Sequence, residues 1–264
     1  MSNTSSADSS ILNYNDKVLW DFAKTTAYPV TIPQGSKSHV VYVYLSPYTA
    51  DELKAVLSKA VSGYRREKRD VEIVREDRSI YTPLCDAHFI KLGNATGSVD
   101  AQKAWLDKNS ELKPSIVEHT FGGLRMDTPE SAEEQEDDDS MLDIALELSG
   151  QVKVYQELYD PATDKVVRVD MVHSHAHPTE QQFRQYRSAR RSKYLRKSTL
   201  WTIAEQHSTL EKLYDTVVKS ISGAAVDSKH CDESNKADWI GSVPLWHKLW
   251  IVDHIFGELV EKND

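Results

Sequence analysis

The sequence has little cysteine and no long apolar run. Its two cysteines, Cys85 and Cys231, fall in opposite halves and neither belongs to a CxxC pair, which argues against a disulfide framework and fits a reducing compartment. No apolar run approaches the ~18 residues that a membrane-spanning helix needs, so we expect a soluble chain with no membrane partner. The first ten residues lack the basic start and apolar centre of a signal peptide, and we expect no secretion by that route.

Sequence motifs of catalysis are missing as well. The ten glycines are scattered and give no phosphate-binding loop, and Gly122 and Gly123 follow an apolar stretch instead of opening a helix. The patterns GxSxG, HExxH and CxxC do not occur in the sequence. These absences favour a protein that is not an enzyme and that needs no cofactor.

Acidic charge is concentrated in one segment. The formal net charge is -9, and eight acids with no base fall between Asp127 and Asp139, so the rest of the chain is nearly neutral. A dense run of one charge repels itself and stays extended, which predicts a solvated linker over residues 127–140. The alternative is an acidic mimic that docks on a basic partner.

A nine-residue phrase occurs twice in the chain. Residues 116–124 read IVEHTFGGL and residues 251–259 read IVDHIFGEL, and six of the nine positions are identical. Internal repeats of this kind indicate copied structural units. We expect the glycine after each Phe, Gly122 and Gly257, to end a helix in a left-handed conformation.

Other features recur in the same order. Each half opens with two runs of β-branched and aromatic residues separated by turn formers, over residues 28–45 and 152–171, as in a β-hairpin. Next comes a Thr followed three residues later by Glu or Gln, at Thr49 and at Thr179. This is the spacing of a helix capping box, so each half is predicted to start a helix there.

Each predicted helix start leads into a basic segment that contains tyrosine. Residues 64–69 read YRREKR and residues 186–191 read YRSARR, and we interpret both as helical. A Trp then precedes the repeated phrase in each half, Trp105 in the first and Trp239 in the second. The order of features thus supports a duplication.

The sequence therefore predicts an α+β protein built from two tandem copies of a β-hairpin followed by about three helices. We expect a disordered tail over residues 1–15 and a first repeat over residues 16–126. The acidic linker follows over residues 127–140, and the second repeat occupies residues 141–264.

Three histidines alternate at the end of the second hairpin, namely His173, His175 and His177. Alternate residues of an extended chain share one face, and three imidazoles on one face can hold a divalent metal ion. A closed metal site needs a fourth ligand, and Glu180 is the one close carboxylate downstream. The competing interpretation is a polar connection between a strand and a helix that binds no metal.

Seven Arg and Lys residues fall within residues 184–197, with two Tyr residues among them. On a helix such residues neutralise phosphates while Tyr rings stack on bases. Our candidates for nucleic-acid contact are Arg184, Arg187, Arg190 and Arg191, three of which share one helical face. A solvated charged face is the competing interpretation, so nucleic acid is not the partner that we expect first.

The last segment is rich in aromatic residues. From Leu245 onward its predicted helix is apolar over most of its circumference. This is more than one domain core covers, and it suggests a second buried surface against the other repeat or against another chain. The predicted protein-interface residues are Trp239, Trp246, Trp250 and Phe256.

Several motifs of the second half, mainly within residues 152–260, carry a family resemblance. They are YDP at 159–161, PTE at 178–180, LYDTVVKSISG at 213–223 and VPLWHKLWIV at 243–252. Together they resemble the C-terminal pattern of phage and prophage tail-region proteins of the tail assembly chaperone type. The aromatic enrichment and the acidic linker depart from that pattern. The resemblance implies a non-enzymatic assembly or structural role in a virion.

The expected function is that of a non-enzymatic viral assembly or structural protein, similar to a tail assembly chaperone, that acts through protein–protein contacts. Viral tail or capsid proteins are the expected partners, a homo-oligomer is also allowed, and the expected location is the host cytoplasm or the virion. One alternative is a nucleic-acid-associated protein that uses a basic helix over residues 184–197. The other is a metal-dependent enzyme centred on His173, His175 and His177.

Overall fold

The structure is a computed structural model that describes most of the chain. The described residues are 10–14, 17–34, 37–58, 63–67, 70–74, 78–126, 149–190, 192–194, 200–203 and 206–257. The predicted acidic linker at 127–140 lies outside them, as do residues 1–9. Within the described residues, none of the helices combines the length and apolarity that crossing a bilayer requires.

The first half contains seven strands and four α-helices among its described residues. In chain order they are β1 (Ile11–Tyr14), β2 (Lys17–Asp21), β3 (Thr26–Gln34), β4 (Lys37–Leu45), α1 (Ala50–Leu57), β5 (Gly63–Glu67), β6 (Asp70–Val74), a 3-10 turn (Arg78–Tyr81), α2 (Thr82–His88), β7 (Phe89–Leu92), α3 (Val99–Lys108) and α4 (Leu112–Phe121).

The second half contains six strands and four α-helices among its described residues. In chain order they are β8 (Ser149–Asp160), β9 (Lys165–Ala176), α5 (Glu180–Ala189), β10 (Ser192–Tyr194), β11 (Leu200–Ile203), α6 (His207–Val217), β12 (Val218–Val226), β13 (Lys229–Cys231), α7 (Lys236–Trp239) and α8 (Leu245–Gly257), with 3-10 turns at Glu233–Asn235 and Ile240–Ser242.

The two halves share one element order. From β3 and from β8 onward, each half has a hairpin, a helix, a second hairpin, a helix, a strand and two further helices. We call β3 to α4 the first copy and β8 to α8 the second copy. The predicted α+β class is confirmed. The prediction of a β-hairpin followed by about three helices is incomplete, because each copy also has a second hairpin and a single strand.

The strands form three sheets that tie the copies together. One has the order β1-β2-β12-β9-β8 with β13 on β12, the second is β3-β4-β7, and the third is β10-β11-β5-β6. The single strand pairs antiparallel with the second hairpin strand in both copies, β7 with β4 and β12 with β9. Strands from both halves meet where β2 pairs parallel with β12 and where β11 pairs with β5. The buried apolar residues of both halves accordingly form one hydrophobic cluster.

Both predicted helix starts are confirmed. The Thr49 hydroxyl accepts a hydrogen bond from the backbone N–H of Glu52, whose carboxylate accepts one from the N–H of Thr49. Thr179 and Gln182 make the same reciprocal pair at the start of α5. The boxes satisfy N–H groups that have no partner within the helix, which is why the two copies begin α1 and α5 at the same point.

The helical prediction for the two basic, Tyr-containing segments is wrong for the first and right for most of the second. Residues 64–67 belong to strand β5, whereas residues 186–189 lie in α5, which ends at Ala189. The backbone N–H of Gln206 donates to the carbonyl of Ala189, which closes the base of the β10–β11 hairpin. In the first segment the pairing of β5 with β6 outweighs the helical interpretation.

The second helix of each copy runs directly into a strand. His88 ends α2 and Phe89 begins β7, and Val217 ends α6 while Val218 begins β12. In β12 the backbone of Gly223 has φ of 84°. A Cβ atom there would lie 1.9 Å from the carbonyl oxygen of Asp170 on β9, so this position of the strand requires glycine.

Two further expectations need correction. Gly122 ends α4 as predicted, but its φ of -87° is not left-handed, and Gly257 is the last residue of α8 and does not have positive φ. The prediction of a disordered tail over residues 1–15 is wrong for residues 10–14, because Ile11–Tyr14 forms β1 and Ser10 is buried. Pairing with β2 and burial of the Ile11 side chain hold this segment on the sheet.

Candidate functional site

The predicted histidine cluster does not assemble as a three-histidine metal site. His173 and His175 are buried on one face of β9, as the alternation predicts, whereas His177 is exposed beyond the end of the strand. The Nδ1 atom of His175 lies 3.0 Å from the backbone oxygen of Ala176. No group of three potential metal ligands occurs among the described residues, so these three histidines do not come together as the alternative interpretation requires.

A different polar cluster surrounds His173 in the core of the second copy. Its Nδ1 lies 3.0 Å from the Tyr214 hydroxyl on α6, and its Nε2 lies 2.9 Å from Nε2 of His247 on α8. All three residues are fully buried. Strand β9 and helices α6 and α8 therefore converge on one chain of hydrogen bonds, which we call the His–His–Tyr chain.

The first copy has apolar residues or cysteine at the corresponding positions. The matched capping boxes align His173 with Val43, the matched strand starts of β7 and β12 align Tyr214 with Cys85, and the repeated phrase aligns His247 with Leu112. Apolar residues suffice to pack these positions in the first copy. The polar residues of the second copy are therefore not required by the fold, and polar groups of this kind are worth examining as functional candidates.

Burial fixes the charge of the His–His–Tyr chain. Desolvation lowers the pKa of His247 to about 3 and, together with the two neighbouring histidines, lowers the pKa of His173 well below its usual range. Desolvation raises the pKa of the Tyr214 hydroxyl well above its usual value. All three groups are neutral near pH 7. The Nδ1 atom of His247 has no hydrogen-bond partner within the described part of the chain.

The two cysteines are buried and unpaired. Desolvation raises the pKa of each thiol, Cys85 and Cys231, to about 12. A thiol with such a pKa stays protonated near pH 7, and the thiolate is the nucleophilic form. Both residues therefore act as small core side chains.

The predicted aromatic interface lies mostly inside this chain. Trp239, Trp246 and Phe256 are 1%, 6% and 0% exposed, so as contacts to a second chain these three are corrected to core residues. The Trp246 ring lies 6.2 Å from that of Trp20 in the first half, which makes the other half of the molecule the second surface of α8. Trp250 is partly exposed.

A buried lysine–aspartate pair occurs in both copies. Lys113 on α4 lies 2.5 Å from Asp86 on α2, and Lys248 on α8 lies 2.7 Å from Asp215 on α6. The same alignments match the two lysines and the two aspartates. Both lysine side chains are at least 94% buried. In each copy the ion pair therefore fixes the last helix, α4 or α8, against the second helix, α2 or α6.

The tryptophans that precede the repeated phrase differ in exposure. Trp105 on α3 is 42% exposed, whereas Trp239 on α7 is 1% exposed and donates its indole N–H to the carbonyl of Asp232. Val99 on the same helix is 42% exposed and Ile90 on β7 is 37% exposed. We call Ile90, Val99 and Trp105 the α3–β7 surface. The sequence signal for it was Trp105 itself, which served only as part of the repeated order of features.

Helix α3 is fastened to β7, and residues of α2, β7 and α3 line a cavity. The buried side chain of Gln102 accepts a hydrogen bond from the backbone N–H of Leu92 at 2.8 Å, which fastens α3 to β7. A cavity of about 220 Å³ is lined by Asp86, Phe89, Lys103, Leu106 and Asp107. Its apolar lining comes from Phe89 and Leu106, and the charged residues are exposed around it.

The predicted basic stripe is not a single helical face. Arg184 pairs with Glu180 one turn earlier, and Arg190 pairs with Asp253 on α8. Arg187 is exposed on α5. Arg191 lies outside the described residues and beyond the last helical residue. The helical stripe is therefore wrong, because the helix ends too early to align these residues.

Comparison with known proteins adds no relative of established function. The chain matches no family model, no curated protein and no solved structure.

Proposed function

We propose that this protein is a non-enzymatic assembly or structural protein that binds a partner protein through the α3–β7 surface. The observation that carries the proposal is Trp105, which is 42% exposed, whereas Trp239, the Trp that precedes the repeated phrase in the second copy, is 1% exposed. Tryptophan is strongly enriched among the residues that dominate binding energy at protein interfaces. Trp105 itself does not line the nearby cavity, to which α3 contributes Lys103, Leu106 and Asp107, so its exposed ring is proposed as a contact in its own right.

The distribution of exposed apolar side chains supports the same surface. Within the described residues, seven large apolar side chains are more than a third exposed, and three of them lie on α3 and β7. Single exposed apolar residues need no explanation, but a group on adjacent elements marks interaction sites. The partner is expected to present an apolar or aromatic side chain that enters the 220 Å³ cavity.

The setting of this binding rests on the sequence resemblance to tail assembly chaperones. We propose that the partners are viral tail or capsid proteins, encountered in the host cytoplasm or in the virion. The two copies support an assembly role. Both copies have the same order of helices and strands, so one copy can expose a binding surface while the shared hydrophobic core stays intact.

Affinity capture tests the proposal. The full chain is immobilised, exposed to a lysate of its native source, and the bound polypeptides are identified by mass spectrometry. We expect tail or capsid polypeptides, and we expect Trp105→Ala to weaken their binding by about 30-fold, the effect of a hot-spot residue worth about 2 kcal/mol.

The matched control is Val166→Ala on β9. Val166 is 43% exposed, close to the exposure of Trp105, and lies in a different sheet. Neither substitution removes core packing, so each should change the free energy of unfolding by about 0.5 kcal/mol or less. Capture that both variants weaken equally, or that recovers no virion polypeptide, would count against the proposal.

A further inference from the structure

A serine, a histidine and a carboxylate lie in contact where the first copy turns from β4 into α1. The Ser46 hydroxyl lies 2.9 Å from Nδ1 of His88, and Nε2 of His88 lies 3.2 Å from a carboxylate oxygen of Glu52. We call these three residues the Ser–His–Glu cluster. Arrangements in which an imidazole takes a proton from a serine hydroxyl are recognised by such geometry and not by sequence position.

The contacts of His88 favour one tautomer. The Ser46 hydroxyl lies closer to Nδ1 than to the backbone oxygen of His88, which is 3.5 Å away. Donation of the hydroxyl hydrogen to Nδ1 leaves the ring proton on Nε2, next to the Glu52 carboxylate. The Nε2 contact has the distance of an ion pair without the geometry of a hydrogen bond. Catalytic hydrogen bonds are often poorly aligned in a free protein and tighten when a substrate binds.

Neighbouring groups hold the cluster in place. The backbone N–H of Ser46 donates to the carbonyl of His88 at 3.0 Å, which ties the end of β4 to the end of α2. The Glu52 carboxylate accepts hydrogen bonds from the N–H and the hydroxyl of Thr49. These bonds, with a smaller effect of His88, lower the pKa of Glu52. Glu52 is therefore ionised near pH 7 and can stabilise a positively charged imidazole beside it.

The second copy has other residues at all three positions. The matched capping boxes and the matched strand starts align the cluster, in the order Ser46, His88 and Glu52, with Ala176, Val217 and Gln182. Gln182 completes its capping box as Glu52 does. The fold therefore does not require a serine, a histidine or a carboxylate here, and polar residues that the fold does not require are candidates for function.

The serine of the cluster lies at the surface, whereas the base is covered. Ser46 is partly exposed, and Pro47 next to it is exposed. His88 is buried, and its ring lies 4.8 Å from that of Tyr48. A reagent can thus approach the serine while the imidazole stays shielded from water.

We propose that Ser46 is an acylation site that reacts with activated esters whose leaving group is a thiolate or a phenolate. The Ser46 Oγ atom attacks the carbonyl carbon of the ester while Nδ1 of His88 takes the hydroxyl proton. The bond to the leaving group then breaks, and the departing thiolate or phenolate takes the proton from His88. The products are a serine ester and a free thiol or phenol. Activated esters are the class of donor because their leaving groups depart without further assistance.

This reaction goes beyond the proposed binding function and does not depend on the α3–β7 surface. The acyl group stays on the protein after a single event. Acylation therefore adds a modification site to a chain that we propose to be non-enzymatic.

Reaction of the full chain with p-nitrophenyl acetate tests the proposal. We expect a burst of about one equivalent of p-nitrophenolate per chain, and peptide mass spectrometry should locate the acetyl group on Ser46. Ser46→Ala, which installs the residue of the second copy, should remove the burst. The matched control is Ser58→Ala at the far end of α1, where an exposed serine hydroxyl donates to the carbonyl of Ala55. This control should leave the burst unchanged.

Variants of the other two members test their roles. His88→Val should lower the limiting rate of acetylation by about 10²- to 10⁴-fold, the usual contribution of a general base. Glu52→Gln should lower that rate at least about tenfold, less than the ~10⁴-fold loss for a buried triad acid. The ester concentration at half-saturation should not change, because Glu52 is a positioning residue that acts through His88. Gln keeps the capping box in the second copy, so Glu52→Gln remains a test if circular dichroism shows that His88→Val is unfolded.

Three results would overturn the proposal. They are acetylation of lysines without Ser46, an equal rate of Ser46 acetylation in Glu52→Gln and in the native chain, and the absence of a burst. None of them would affect the α3–β7 surface, whose own test is partner capture. Continuous release of p-nitrophenolate beyond one equivalent from the cluster would also overturn it, because it would show ester hydrolysis, and it would contradict the non-enzymatic role as well.

Discussion

Replacing His173 with Val tests whether the His–His–Tyr chain behaves as one unit. His173 is its central member and contacts both Tyr214 and His247. The substitution installs the residue found in the first copy, but it leaves the Tyr214 hydroxyl and the ring of His247 without these partners. A buried polar group that loses its partner costs about 1–3 kcal/mol, so we expect a loss of about 2–6 kcal/mol in the free energy of unfolding.

The triple variant His173→Val/Tyr214→Phe/His247→Leu provides the decisive comparison. It removes every member of the chain, so no buried partner is left unsatisfied, and replacing both sides of a polar contact by apolar groups can be nearly neutral. We therefore expect the triple variant to be more stable than the single variant His173→Val. Urea unfolding followed by circular dichroism measures both. Costs that simply add across the three sites would refute the coupling.

The same variants test the charge state of the buried histidines. Both rings are neutral in the folded protein, with the pKa of His247 near 3 and that of His173 well below its usual range, whereas the pKa of an unfolded histidine is about 6.5. Below pH 6.5 the unfolded state binds more protons, so stability present above that pH is lost as pH falls toward 3. We expect a loss of about 3–4 kcal/mol from pH 7 to pH 5 for the two rings. The triple variant should lack this part of the acid dependence, and an unchanged dependence would contradict the assignment.

Two further predictions concern the frame of the molecule. Gly223→Ala should destabilise the protein by about 1–3 kcal/mol in a urea titration, because its φ is 84° and a Cβ atom would meet the carbonyl of Asp170; an unchanged midpoint would show that the β9–β12 register is different. Lys248→Met should lower the free energy of unfolding by about 3–5 kcal/mol, because it leaves the Asp215 carboxylate without its partner and burial already raises the pKa of that group. Lys113→Met should lower it less, because the two carboxylates that pair with Lys113 are more than half exposed. Equal losses from the two lysine variants would contradict this reasoning.

Local sequence signals predicted the parts of the fold that depend on neighbouring residues. The capping boxes at Thr49 and Thr179 depend on groups three residues apart, and the repeated phrase located α4 and α8. These features need no knowledge of distant partners, since helix starts and hairpins are decided within a few residues. The element order that the two halves share depends on the same local signals.

Contacts between distant segments were not visible in the sequence. His173 and His247 are separated by 74 positions, and His247 lies in an apolar run where nothing distinguishes it from a surface residue. The pairing of β11 with β5 likewise joins the two copies, and the β10–β11 pairing follows the end of α5 at Ala189, where the predicted helix was expected to continue. Tertiary pairing overrides local propensity at such places.

The exposure of Trp105 shows a third kind of limit. The sequence predicts an interface position for Trp239 and not for Trp105, yet exposure depends on which elements cover each position. In the second copy the Trp239 indole N–H has the carbonyl of Asp232 as its acceptor. We propose that the binding function lies where the two copies differ in surface exposure. An alignment of the two repeats does not reveal that difference.

Hydrogen–deuterium exchange of the full chain, with and without a captured partner polypeptide, tests the central claim most directly. We predict slower exchange in α3 (Val99–Lys108) and β7 (Phe89–Leu92) when the partner is bound, and no such change for Trp105→Ala at the same partner concentration. Protection confined to other elements, such as α5, or no protection at all in the presence of a bound partner, would contradict the proposal that the α3–β7 surface is the binding site.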